Sequence, residues 1–141
     1  MSTISPAIVA RIQSFCGEMN DLSVLITHVQ ESVTNDLLYN SLQVVGDQLD
    51  HSIRCLAAAP RLGEEAGGYA LPLNLELVAT FAGQAAPLIL VLADSFDENS
   101  RLALDYAGAT LEKHGKTARY IAQTVAEELP PLVRETIPLT A

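Results

Sequence analysis

Residues 77–93 read LVATFAGQAAPLILVLA, without one charged side chain and with Pro87 inside the run. A stretch this apolar is either the central helix of a packed bundle or a membrane segment. Its polar members weigh on that choice. Glu76, Thr80 and Gln84 recur every fourth residue, on one face of a helix, and Pro87 falls close to the same stripe. The pattern predicts a helix whose narrow polar stripe meets water while the rest of its surface is buried. As a helix the uncharged run spans roughly 26 Å, short of the ~30 Å hydrocarbon core of a bilayer. Its flanks (Glu76, Asp94, Asp97, Glu98) are acidic, where a membrane span usually has Lys, Arg, Trp or Tyr anchors.

Pro87 removes a backbone hydrogen bond to residue 83, and its ring crowds that carbonyl. Residue 83 is Gly, which bends readily, so the expectation is a kink at Pro87 or two short helices in line. LILVLA alone reads as a buried strand, but no second strand candidate exists to pair with it.

Working outward, Asp94, Ser95 and Asp97 supply turn and cap chemistry before RLALDYAGATLEKH. Lys113, His114 and Gly115 then read as a helix C-terminus. Ala118, Ile121, Val125 and Leu129 share a face of a further helix, which Pro130 and Pro131 stop. Leu132, Val133 and Ile137 leave the 130–141 tail with apolar side chains available for docking. On the other side, RLGEEAGGYALPLN reads as a loop, long for a compact bundle. Before it, Leu22, Leu25, Ile26, Val29, Val33, Leu37, Leu38, Leu42, Val45, Leu49, Ile53 and Leu56 step by three and four, the mark of an amphipathic helix. Thr34-Asn35-Asp36 is a candidate break in it, and Pro60 ends it near Ala59. At the start, Ser5 and Pro6 read as N-cap and first turn of a helix carrying Ile8, Ile12, Phe15 and Met19. Gly17 weakens its end, and Asn20 and Asp21 offer a fresh cap.

Composition narrows the functional classes. The chain has 141 residues, of which 49% are hydrophobic, 18% charged and 5% aromatic, with no Trp. That length supports one domain with a core of Leu, Val, Ile and Ala, and such a composition favours closely packed helices. The net charge of −9 argues against binding nucleic acid or anionic lipid, since both need Lys and Arg. Cys16 and Cys55 fit no metal or redox spacing and read as reduced core thiols of a cytoplasmic protein. The N-terminus lacks a basic segment followed by an apolar one, so no secretory signal is expected.

Catalytic chemistry finds no motif. Gly115-Lys116-Thr117 resembles the end of a phosphate-binding P-loop, but Thr110 stands where the first glycine belongs. LILVLAD resembles a Walker B strand, and Asp94 is more simply a cap for the next helix. No Glu-x-x-His of a carboxylate-bridged metal bundle occurs. Asp47 with His51, and His28 with Glu31, are local pairs of ligand type. On one straight helix positions 28 and 51 point about 140° apart, so these pairs converge only if the helix breaks. Nothing local activates either thiol, and the Arg-x(4–6)-His pattern of HEPN ribonucleases is absent. No catalytic, cofactor or metal residue is therefore nominated. Ala79, Gly83 and Ala86 form a small-residue stripe permitting close helix approach, and Tyr39, Tyr69, Tyr106 and Tyr120 suit partial burial or interfaces.

The expected architecture is an all-α antiparallel bundle of four to five helices, over 6–18, 21–58, 74–95, 98–114 and 116–129, in a single domain, with 60–73 a loop. The expected function is protein–protein binding, as a regulator, adaptor, inhibitor, or immunity or anti-defence protein. Its partner is another protein, a basic one being the complement of its charge, or a second copy in a homo-oligomer. A small membrane-associated or holin-like protein spanning at 77–93, and a helical-bundle enzyme or metal protein, are the alternatives.

Overall fold

The computed structural model describes residues 4–129 and is all-α over that range. Helix α1 (Pro6–Glu31) turns at residues 32–35 into α2 (Asp36–Ala57). A short α3 (Ala59–Leu62) and a 3-10 turn (Glu65–Gly68) lead to α4 (Ala70–Ala93), and α5 (Glu98–Glu128) closes the set. The 130–141 tail lies outside the described residues.

Each long helix carries an inward seam at alternating steps of three and four. In α1 it is Ile8, Ile12, Phe15, Met19, Leu22, Ile26 and Val29; in α2, Leu42, Val45, Leu49, Ser52 and Leu56. In α4 the seam runs Leu71, Leu75, Val78, Ala82, Ala85, Ile89, and in α5 Leu104, Ala107, Leu111, His114, Ala118, Ile121, Val125. That spacing is the packing repeat of antiparallel bundles. Cross-helix contacts fix the directions. Phe15 meets His114, and Arg11 stacks over Tyr120, so α1 and α5 are antiparallel. Ser23 donates to Asp50 at 2.7 Å, and Gln30 donates to Gln43 at 2.7 Å and to the Tyr39 carbonyl at 3.2 Å, so α1 and α2 are antiparallel. Arg119 reaches Glu76 at 3.3 Å from α5 to α4. The four long helices therefore alternate in direction around one core, in the order α1, α2, α4, α5.

Several expected boundaries are corrected. Gly17 does not end the first helix, and Asn20 and Asp21 cap nothing; α1 runs through them to Glu31. The long second stripe does break at the Thr34-Asn35-Asp36 cluster, and Asn35 caps α2, accepting from the Leu37 and Leu38 amides. The helix ends at Ala57, and Pro60 sits in the first turn of α3, where its missing N–H costs nothing. The 60–73 loop is mostly short helical turns, reversed by three positive φ values at Ala66, Gly67 and Gly68. Helix α4 begins at Ala70, since Pro72 is tolerated in a first turn. It then continues across Pro87 as one helix rather than two in line. Both Pro87 and Gly83 are exposed, so the carbonyl freed by the proline faces water.

Gly115 is not a terminus but lies in the middle of α5. A Cβ there would stand 3.2 Å from the Ala82 Cβ and 3.4 Å from the Ala79 carbonyl oxygen. A Cβ at Gly108 would stand 2.7 Å from Leu90 Cδ2 and 3.3 Å from the Ala86 carbonyl oxygen. These two glycines let α5 settle against the alanine side of α4, the close approach that small residues permit. Ala79 and Ala86 serve that contact from α4, while Gly83 turns outward with nothing within 4 Å of a Cβ position.

Candidate functional site

The residues of ligand or nucleophile type stay scattered. Asp47 accepts from Gln43 at 2.8 Å, and His51 Nε2 lies 3.6 Å from Cys55 Sγ, so Asp47 and His51 share no common point. His28 and Glu31 line a recess against Asn99, Ser100 and Ala103 at the start of α5. Among the described residues no three His, Cys, Asp or Glu side chains are grouped to hold a metal ion. Cys16 and Cys55 are half-buried free thiols, and burial pushes the Cys16 thiol above its ordinary pKa, which disfavours the nucleophilic thiolate. Gly115, Lys116 and Thr117 are all helical, with Lys116 paired to Glu112 at 3.7 Å, so no phosphate loop exists there. Asp94 lies just past the end of α4, and Asp97 is the cap of α5, accepting from the Ser100 amide at 2.9 Å.

Two surface features differ from this background. A cleft of about 490 Å³ runs between α1 and α5, edged by Glu18, Asp21, Tyr106, Lys113 and His114. His114 is 5% exposed and its Nε2 has no hydrogen-bond partner. Burial pulls its pKa below the ordinary 6.5, partly offset by the Glu18 carboxylate. Burial thus disfavours the charged imidazolium, and the ring packs nearly at right angles to Phe15, 5.4 Å between centroids. It acts as a core residue, not as a solvent-facing base.

The second feature is the outer face of α4. The expected narrow polar stripe is wrong: the exposed sector is broad and mostly apolar. Leu77 is 67% exposed, Leu88 45% and Val91 69%, flanking exposed Thr80 and Gln84. The 3.6-residue period explains this, since positions 77, 80, 84, 88 and 91 fall along one line. Beside that line a groove of about 420 Å³ separates α4 from α2, lined by Val44, Gln48, Phe81 and their neighbours without any charged residue. Val44 on the α2 rim is itself 60% exposed. Only 39% of the most apolar stretch of α4 is buried in the bundle, and α4 is long and apolar enough to cross a membrane.

The tyrosines do not gather on this face. Tyr106 edges the α1–α5 cleft, Tyr120 carries Arg11 at 5.0 Å, Tyr69 packs on the core, and Tyr39 is 43% exposed near the start of α2. No protein-family model, curated protein or solved structure matches this chain, so geometry alone carries the functional reading.

Proposed function

We propose that this chain acts by protein–protein binding through the outer face of α4 and its groove against α2. One observation carries the reading. A line of large apolar side chains stands exposed beside an uncharged groove, on a chain whose net charge is −9. Contiguous exposed apolar surface of this kind marks interaction sites, whereas single exposed leucines do not. The absence of any clustered ligand set or activated nucleophile among the described residues leaves catalysis without support. Regulator, adaptor, inhibitor, and immunity or anti-defence roles all use such a surface.

A photo-crosslinking residue at position 77, compared with one at exposed Gln13 on α1, tests this in the native cell. Protein adducts from position 77 and none from position 13 are expected. No adducts, or equal adducts from both, refute it.

The length and composition of α4 favour a second reading, a membrane-associated protein spanning at 77–93. Against it, α4 is held by the Glu76–Arg119 pair and by its Ala–Gly contact with α5. Release of the chain from membranes by alkaline wash removes that reading.

A further inference from the structure

We infer that His51 and Cys55 form a two-donor chelate for Zn²⁺, or a divalent cation of like softness, on the last two turns of α2. The pair does not depend on the outer face of α4 or on what binds there. The first ground is geometry. His51 Nε2 and Cys55 Sγ stand 3.6 Å apart, one helical turn from each other. Tetrahedral zinc holds a histidine nitrogen at about 2.0–2.1 Å and a thiolate sulfur at about 2.3 Å, which sets the two donors about 3.5–3.6 Å apart. The two side chains therefore already span one edge of such a site. A cation entering there takes the Nε2 lone pair and the thiolate, and the thiol proton passes to solvent. Both donors stand on one helix and already face each other, so little side-chain freedom is lost on binding.

The second ground is position. Helix α2 ends at Ala57, so Cys55 lies in its last turn and His51 one turn earlier. The carbonyls left without partners at a helix C-terminus form the negative end of its dipole, which favours a bound cation. Arg54 opposes the ion from the same turn, while Asp47 and Asp50 offset it from the turn before. Asp47 is engaged by Gln43 at 2.8 Å and Asp50 by Ser23 at 2.7 Å, so these carboxylates supply charge and not ligation. His51 is exposed and Cys55 half-buried, which leaves an entry path for the ion.

The third ground is donor type. Thiolate with imidazole selects zinc-like cations, whereas Mg²⁺ and Ca²⁺ require oxygen ligands. Among the described residues no third His, Cys, Asp or Glu joins the pair. The remaining positions therefore fall to water, and the ion exchanges more readily than a four-ligand structural zinc. Cys16 and His114 offer no rival site. Burial pushes the Cys16 thiol above its ordinary pKa, and His114 is closed into the core.

Titration of the reduced, tag-free, chelator-treated full chain with Cd²⁺, read by the ultraviolet thiolate-to-metal charge-transfer band, tests this. One ion per chain is expected, and Zn²⁺ followed by calorimetry gives the same ratio. Cys55→Ser removes the band, His51→Ala weakens binding at least about tenfold, and Cys16→Ser changes neither. Excess Mg²⁺ does not compete. In the unaltered chain Zn²⁺ slows alkylation of Cys55 and leaves the rate at Cys16 unchanged, a readout that needs no variant to fold.

Absence of the charge-transfer band overturns the inference, as does a band that survives Cys55→Ser. Binding indifferent to His51→Ala reduces the site to a single thiol and overturns it as well. Protection of both cysteines alike, or of neither, has the same force.

Discussion

Replacing Gly115 with Val tests the packing that organises the α4–α5 half of the bundle. A Cβ at this position stands 3.2 Å from the Ala82 Cβ and 3.4 Å from the Ala79 carbonyl oxygen. Comfortable carbon contacts lie at about 3.5–4.0 Å, so even Ala forces its neighbours back slightly. The two γ-carbons of Val reach further. Ala82 is 0% exposed and Ala79 3%, and the Ala79 oxygen belongs to the backbone of α4. No rotamer change relieves that contact, and the two helices must separate. Overpacking of a tight core costs about 1–3 kcal/mol. The better helix propensity of Val over Gly returns about 0.4 kcal/mol. The net loss is therefore about 0.6–2.6 kcal/mol.

Gly83→Ala is the matched control, one turn from Pro87 on the same pair of helices. Nothing lies within 4 Å of its Cβ position, so the propensity gain of up to about 1 kcal/mol is unopposed. Urea unfolding followed by circular dichroism separates the two. With a slope of about 2 kcal/mol/M, Gly115→Val lowers the midpoint by roughly 0.3–1.3 M and Gly83→Ala raises it by up to about 0.5 M. A Gly115→Val protein as stable as its parent refutes the close approach of α4 and α5.

The remaining expectations concern single side chains. The folded His114 binds its proton more weakly than the unfolded chain does, because its pKa lies below 6.5. Stability then falls as pH drops below about 6.5, is unaffected by this group above it, and loses nothing further once the folded pKa is passed. Thermal melts at stepped pH read this, and His114→Leu flattens the slope. Asn35→Ala and Asp97→Ala each remove a side-chain acceptor from a helix N-terminus and cost about 1 kcal/mol, measured as midpoint shifts in urea. Glu76→Gln breaks a half-exposed pair and costs less than about 1 kcal/mol; a larger loss means that the ion pair matters more than its exposure allows.

The fold class was legible because the four inward seams repeat at three and four along the chain, and that repeat alone specifies amphipathic helices. The helix ends were less legible where glycine was involved. A glycine that terminates a helix and one that admits a neighbouring helix look alike in one sequence. Gly115 is explained only by Ala79 and Ala82, far away along the chain. Pro72 and Pro60 misled in the same way, since a proline in a first turn and a proline in a loop differ only in whether the next residues go on as helix. The outer face of α4 was hidden for another reason. Thr80 and Gln84 mark its direction, but Leu77, Leu88 and Val91 lie on the same line and read as core by hydropathy. A projection at 100° per residue, combined with the alanine side used by α5, separates the two faces.

The composition of α4 divides into two loads with different consequences for assembly. Leu71, Leu75, Val78 and Ile89 are at most 4% exposed and complete the bundle whether or not a partner is present. Leu77, Leu88 and Val91 contribute little to the monomer. Fully burying one such side chain yields about 1.5–3 kcal/mol. These three begin between 45% and 69% exposed, so a pairing that covers them on both copies gains on the order of 7 kcal/mol in gross terms. Association itself costs about 4–15 kcal/mol in lost freedom. The surplus from this strip is small, and additional burial along the Val44 rim of α2 extends it without changing its scale. Association through this strip alone is therefore weak, with Kd of about 1 mM or higher, and the monomer is folded by itself. Sedimentation at stepped concentration reads the value directly. A Kd near or below about 1 µM requires a net gain of about 8 kcal/mol, well beyond what this strip provides, and refutes it as the whole interface.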